Sequence, residues 1–568
     1  MTSALLLPLV FLAGLASSGR TDSSSGRVAE FASAGASADS IRISGRLAGA
    51  DGRPVAVSHA HLQTWDGDSI IASARVAPDG SWALSTDARG AFVLWLSAVG
   101  HAGARVGLLL LDGATMLRVD ARLAPHDWRP NPGRVVAIVG GKGEEESVPM
   151  ERDASGAWTA RLPARGDTVA FRAVGLAWSG AVAGTDAERY AYDGAGGYRA
   201  VLRAGRDGAR AVVDPGRFPG GTAAAFVRVE PEDGDAGRFG AFSRDLFGHV
   251  DAYFDRRTRA EAAGATLAEM RRIYEEYDPA PAAATLATHL DRTESAGLRA
   301  WMTTAYLAAP IKTDSAAARA ALASIPPTSE AWSIDPRALP EALGPSGHPD
   351  AARSYARAVA DGHPDPAVRA VALGALLDDA LARDDAETLA ALYDRLLAEH
   401  PDSKPATRAR ELYAPDRRIQ PGRPVPDFAV PSMDDPAVTV TRKSLHGRTY
   451  LMDFWATWCG PCITEMPYLH AARTRFGPLG FEILSLSFDL APEDVTRFRA
   501  EGEWTMPWLH AFVADGMDST LADDFDIVSI PRAILVGPEG RILATNEDLR
   551  GERLAETLSR VLENGGER

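Results

Sequence analysis

The chain has 568 residues, room for roughly three or four domains, and carries 60 basic against 76 acidic side chains, a formal net charge of −16. That acidic surplus argues against nucleic acid as a general partner, and no basic, aromatic-rich stretch contradicts it. Only two cysteines occur, Cys459 and Cys462. This excludes a scaffold of widely spaced disulfide staples, and a zinc site would need two further ligands beside them.

The N-terminal stretch Ala4 to Ala16 is apolar over about the length of a signal-peptide core, and Ala16-Ser17-Ser18 offers small residues for cleavage. It is short for a membrane span, and its start lacks Lys and Arg. Residues 1–18 are expected to be an export signal. No cysteine follows them, which speaks against a lipoprotein anchor. Residues 19–40 are rich in Ser, Gly and Ala and read as a linker.

Residues 41–125 read as a β-sandwich-like domain. Ile41 to Leu47 alternates, Asp51-Gly52-Arg53-Pro54 turns the chain, and strands follow near Ser81–Leu84 and Ala91–Ala98. This pattern resembles the small transthyretin-like or carboxypeptidase-regulatory-like sandwiches of exported proteins. His59 and His61 share one strand face by their spacing. No carboxylate or third His accompanies them at ligand spacing, so a surface pair is expected rather than a metal site. Residues 126–220 form a second β-rich domain, with strands expected at Arg134–Val139, Ala157–Leu162 and Thr168–Ala173. Residues 221–415 read as helical and Ala-rich. Leu389, Leu392, Tyr393, Leu396 and Leu397 mark an apolar stripe at helical spacing. His-Pro-Asp recurs at 348–350, 363–365 and 400–402, read as turn and cap punctuation. The last two copies lie 37 residues apart, which suggests degenerate TPR-like helix hairpins, a spacer or a docking surface.

From residue 421 the pattern becomes alternating β and α. Tyr450–Trp455 suits a buried strand, Cys459 to about Phe476 a helix kinked at Pro467, and Phe481–Ser487 a second strand. Pro492–Glu501 carries helix signals. Arg532–Val536 and Arg541–Ala544 form a hairpin across Gly537-Pro538-Glu539-Gly540, and Gly551–Leu562 is an amphipathic helix. Such alternation implies a layered α/β domain at 421–568.

Within it, Trp458-Cys459-Gly460-Pro461-Cys462 places both thiols at the start of a helix. Unpaired N–H groups there stabilise a thiolate on Cys459, the outer sulfur, and the spacing closes a reversible disulfide. Cys459 would attack a substrate disulfide and Cys462, one turn inward, would resolve the mixed disulfide. Pro461 suits the first turn. Asp453, on the buried strand, is a candidate acceptor for the Cys462 proton; the other reading is a solvated strand end. Glu465, three residues after Cys462, either tunes the thiol or is an ordinary exposed helix charge.

The run Phe454 to Cys462, extended through Glu465-Met466-Pro467, resembles the TlpA/ResA-like thioredoxins of the bacterial envelope. Pro424-Val425-Pro426-Asp427-Phe428 and Ser444-Leu445-His446-Gly447 resemble that family's N-terminal hairpin. The resemblance covers residues 421–568 and implies a thioredoxin fold, so the whole reads as multidomain: β-sandwich-like regions, a helical region, then an α/β thioredoxin fold. It implies that Ser529-Ile530-Pro531 is the loop whose cis-proline faces the cysteines, with Ile530, Pro531, Trp458, Gly460 and Pro461 meeting substrate. Arg532 stands where the family usually has Thr, and Asp453 where TlpA-like members often have Asn. Peroxiredoxins share the fold, but Met452 and Ala456 occupy the places of their Pro and Thr. The implied activity is an exported thiol–disulfide oxidoreductase of the periplasm or cell envelope, without cofactor or stable metal. It would reduce disulfides of envelope proteins, apocytochromes among them, with electrons from a membrane carrier of the DsbD/CcdA kind. Two alternatives stay open: a disulfide oxidase or isomerase, and a binding or scaffold protein with an accessory redox domain.

Overall fold

The computed structural model describes residues 40–562 except 56, 127, 129–134, 140–145, 164–165, 178–179, 194–195, 206–207, 219–223, 263–271, 274–275, 345–348, 384, 415–417, 436, 490, 502–503 and 528–529. The expected export signal and nearly all of the linker lie outside the described residues, as do Ser529 and His348. The chain divides into two compact units that meet in sequence at Asp379 and Ala380.

In the first unit, Ile41–Gly49 alternates buried and open side chains. It pairs antiparallel with Ser81–Thr86 and parallel with Met116–Leu123. A second sheet runs Ile70–Arg75, Ser58–Thr64, Gly90–Ala98, Ala104–Leu110. The two sheets share one core that includes Ile43, Leu62, Leu94, Val106 and Val119. Gly45 is required within it, because an added Cβ would fall 1.7 Å from the Val119 carbonyl oxygen. Strands between Val136 and Val213 build two further sheets around Val139, Phe171 and Ala211.

Two expectations are corrected here. Phe226–Glu230, inside the stretch read as helical, is a strand that completes the first sheet beside Met116–Leu123. Its Phe-Val-Arg-Val-Glu alternation buries Val227 and Val229, and helices begin only at Asp235. The second correction concerns the histidines: His61 is fully buried, not a surface residue. Its ring meets the Tyr192 hydroxyl at Nδ1 and Gln63 at Nε2, 3.0 Å away. His59 stacks on Tyr192 with ring centres 4.4 Å apart. Aromatic residues 131 to 139 positions downstream cover the pair, which no local spacing announces. The His363-Pro364-Asp365 copy caps a helix junction: Asp365 accepts from the Ala367 amide, and the buried His363 ring bonds the Asp365 amide and the Ser329 carbonyl.

The second unit opens with helices Ala386–Glu399 and Lys404–Tyr413. A short hairpin, β1 (Ala429–Pro431) and β2 (Thr439–Thr441), follows. Then come β3 (Thr449–Trp455), α1 (Gly460–Phe476), β4 (Phe481–Ser487), α2 (Pro492–Glu501), β5 (Leu509–Phe512), α3 (Thr520–Asp524), β6 (Arg532–Val536), β7 (Ile542–Thr545) and α4 (Glu552–Leu562). The sheet order is β5-β4-β3-β6-β7. β4 lies parallel to β3, and β6 antiparallel to it. All seven residues of central β3 are buried, which is why it reads as a continuous apolar run rather than an alternating one. Its two faces belong to different cores. Tyr450, Met452 and Phe454 pack with Phe428 and Ile534. Leu451 and Trp455 pack with Met466, Leu469 and Phe476 of α1 and with both cysteines.

Candidate active site

The site is built where β3 turns into α1. Cys459 is the N-cap residue, extended at φ −85° and ψ 96°, and its sulfur accepts the Cys462 amide at 3.2 Å. The two cysteines are joined as a disulfide with Cα atoms 5.2 Å apart. Both are buried, Cys459 being 5% exposed and Cys462 1%, so any approach from outside meets Cys459 first. Trp458 stands 59% exposed beside them, Pro461 is exposed and Gly460 half-buried. The helix dipole and the free amides of the first turn point at the sulfurs, the setting that favours a thiolate.

The loop before Cys459 is clamped from β4. Asp489 is 3% exposed and accepts the Thr457 hydroxyl at 2.6 Å, the Thr457 amide at 3.0 Å and the Ser487 hydroxyl at 2.7 Å. A carboxylate that receives three donors holds the turn that presents Trp458 and Cys459.

Period-two alternation on β3 puts Asp453 on the same face as Leu451 and Trp455, toward the cysteine-bearing helix. It is 5% exposed. Burial pushes its carboxyl up to about 7, while a hydrogen bond from Ser485 and the charge of Arg550 pull it back and Glu465 adds to the rise. The Ser485 hydroxyl donates to Oδ2 at 3.0 Å. A carboxyl poised near neutrality can take or give a proton at working pH, as an ordinary aspartate cannot.

Glu465 is neither an exposed helix charge nor unattached. Its side chain is 18% exposed; Oε2 accepts the Gly551 amide at 2.8 Å, and Oε1 lies 3.9 Å from Arg550. Arg550 donates in turn to the Pro531 carbonyl. One carboxylate therefore ties α1, the Ile530-Pro531 turn and the start of α4. The Ile530–Pro531 peptide is cis, and Ile530 packs against the core cluster that contains both cysteines. Arg532, buried in β6, lies opposite Phe454.

Cys459, Cys462, Asp453, Glu465, Trp458, Gly460, Pro461, Ile530 and Pro531 all fall in this one domain, around the β3–α1 turn and the elements packed on it. Sequence reasoning missed Asp489, Ser485, Trp508 and Arg550. Their partners are 32, 32, 23 and 19 residues away, and Asp489 at the end of β4 was the one legible hint, an acid closing an apolar strand. Among the described residues, no group of three or more His, Cys, Asp or Glu could hold a metal ion.

Residues 421–545 match the AhpC/TSA family. Thiol-disulfide oxidoreductase ResA of Bacillus cereus is 23% identical over 150 residues, 26% of this chain and 81% of that protein. Thiol:disulfide interchange protein DsbE of Xylella fastidiosa is 39% identical over 128 residues, 22% of this chain and 61% of that protein. Among solved structures, the thioredoxin domain of a thiol-disulfide oxidoreductase from Bacteroides vulgatus is 28% identical and covers 25% of this chain and 99% of its own, with a TM-score of 0.23. Residues 421–545 are thus a thioredoxin-family domain of the AhpC/TSA kind, similar in sequence to ResA and DsbE, and they make the chain an enzyme of the thiol–disulfide oxidoreductase class.

Proposed function

We propose that the chain is an exported reductase that opens disulfides of envelope proteins by cycling Cys459 and Cys462 between dithiol and disulfide. The Cys459 thiolate attacks one sulfur of the substrate disulfide; the other leaves with the electron pair as a thiolate. Asp453 takes the proton of Cys462, and the new thiolate attacks the Cys459 sulfur. The bond between Cys459 and substrate breaks, the second substrate sulfur leaves reduced, and the enzyme is left as the disulfide. A membrane dithiol carrier of the DsbD/CcdA kind returns two electrons from inside. Glu465 and Arg550 support the Pro531 turn against which Trp458, Gly460, Pro461 and Ile530 receive the substrate strand. The apolar segment 1–18 supports export, and apocytochromes are one substrate class. The domains at 41–125 and 126–220, and the helical region that follows, serve as spacer or docking surface before the redox domain at 421–568.

The observation that carries this reading is the Cys459–Cys462 pair at the N-terminus of α1, with the buried Asp453 on the strand face that packs against it. With dithiothreitol as donor, the full chain should precipitate insulin, and Cys459→Ser should not. The Gly-Pro pair between the cysteines favours a potential nearer thioredoxin's, about −270 mV, than DsbA's, about −120 mV. Equilibration with glutathione measures it; a value above about −180 mV would turn the assignment to oxidase or isomerase. Cys462→Ser should trap the natural partners on Cys459.

A further inference from the structure

Ser485 sits opposite Asp453 in the parallel β3–β4 pairing and is fully buried. Two groups lie within hydrogen-bond distance of its hydroxyl: the Trp508 indole Nε1 at 2.9 Å and the Asp453 Oδ2 at 3.0 Å. An indole N–H can only donate. The Ser485 oxygen must therefore accept there, and its single proton is directed onto the carboxylate. A free serine hydroxyl rotates to suit its surroundings; this one has its direction set by the ring behind it.

The ring is itself held. Trp508 is 6% exposed, with the His470 ring edge-on at 4.7 Å. The backbone ahead of it passes through Met506, a non-glycine residue in the left-handed region at φ 49° and fully buried. Such a conformation is disfavoured for a residue with a side chain and persists only where its surroundings impose it. Here the Met506 carbonyl accepts both the Trp508 amide at 2.9 Å and the His510 Nε2 at 3.0 Å. That acceptor assigns the proton of His510 to Nε2. Burial pushes the His510 ring down to about 4, which keeps it neutral and in that role.

Resting on the reading of Asp453 as proton acceptor, we propose that Ser485, aimed by Trp508, is a positioning residue that keeps Asp453 available as the base for Cys462. A donor on Oδ2 favours the charged carboxylate, and the proton lost by Cys462 goes to the other oxygen, Oδ1. The groups acting on Asp453 are then few: Ser485 from β4 and Arg550 from the turn before α4 favour the charge, and Glu465 from α1 opposes it. Burial alone pushes the carboxyl further toward its neutral form, which cannot act as a base. Ser485 keeps its own proton throughout.

The test follows single-turnover reduction of a model peptide disulfide by the full-length dithiol enzyme, quenched with acid between pH 5.5 and 9. The mixed disulfide on Cys459 and the released peptide report attack and resolution separately. Ser485→Ala should move the midpoint of resolution upward by about one to two pH units, the worth of one hydrogen bond to a charged group, and leave attack unchanged. Trp508→Phe should move it the same way by less, since the freed hydroxyl can still visit Asp453. Adding Ser485→Ala to Asp453→Asn should change nothing further. An unmoved midpoint in Ser485→Ala, with Asp453→Asn still slow to resolve, overturns the proposal. Wild-type resolution in Asp453→Asn instead removes the reading beneath it. Should Ser485→Ala fail to fold by circular dichroism, Trp508→Phe decides alone, and an unmoved midpoint there overturns it.

Discussion

Asp453→Asn should make the C-terminal unit more stable, and the gain should depend on pH in a way that identifies its cause. The folded carboxyl titrates at about 7 against an ordinary 3.8. Below the unfolded value the residue is neutral in both states and costs nothing. As pH rises from about 4 to about 7 the unfolded chain loses its proton first, so stability falls by about 1.4 kcal/mol per unit. Above about 7 the full difference of about 3 units stands as a deficit of about 4 kcal/mol. Asparagine keeps the shape, and its carbonyl can accept the Ser485 hydroxyl, but it carries no charge to desolvate. The gain should therefore be small at pH 4.5 and approach about 4 kcal/mol at pH 8. His510, held neutral by burial, works in the opposite sense, its contribution falling as pH drops from about 6.5 to about 4. Subtracting wild type from variant removes that term. The assay is urea unfolding of the oxidised full chain at pH 4.5, 6 and 8, with amide exchange along β3 reporting the C-terminal unit. A gain that is the same at all three pH values would refute the reasoning, because an uncharged packing effect has no proton to lose.

Two further outcomes are expected. Asp489→Asn forces an N–H₂ against donors from Thr457 and Ser487, so it should cost about 2 kcal/mol and slow attack by Cys459, read by urea unfolding and by alkylation rates of the reduced enzyme. In the first unit, burial holds His59 and His126 neutral, with Arg75 and His101 as lesser causes, each down to about 4. Both are protonated first in the unfolded chain, so that unit should lose stability as pH falls from about 6.5 toward 4, and His59→Gln should flatten the loss when followed by amide exchange of Ser58–Thr64.

What was legible in the chain was whatever is encoded within about ten residues. β3 and β4 were readable because a central strand buried on both faces is apolar without interruption, and α1 because Cys459 and Pro461 announce its first turn. β5 was not: Pro507 precedes it, and His510 breaks its apolar run, although both His510 and Trp508 are buried by contacts made elsewhere. The same blindness hid the shell around Asp453. The spacing of Asp453 to Cys459 is local, but Ser485 meets Asp453 only through strand pairing, and Trp508 meets Ser485 from 23 residues downstream. Phe226–Glu230 shows the reverse case. Its alternation was plain in the residues, yet it stands just before a run of helices and pairs with a strand 104 to 112 positions away. His61 looked open because its cover, Tyr192, arrives 131 residues later.

The bond from the Gly551 amide to Glu465 spans 86 residues, and this sets a schedule. A ribosome adding about 5–20 residues per second finishes the cysteine helix several seconds before it makes the glycine that Glu465 must hold. Through most of that interval Pro531 and Arg550 are not yet made, and Glu465 stands without the Gly551 amide. A chain at that stage carries both cysteines before the contact that ties α1 to the start of α4 has formed. Activity should appear only when α4 docks, so Gly551 and the helix after it complete a site whose cysteines are spelled out about ninety residues earlier.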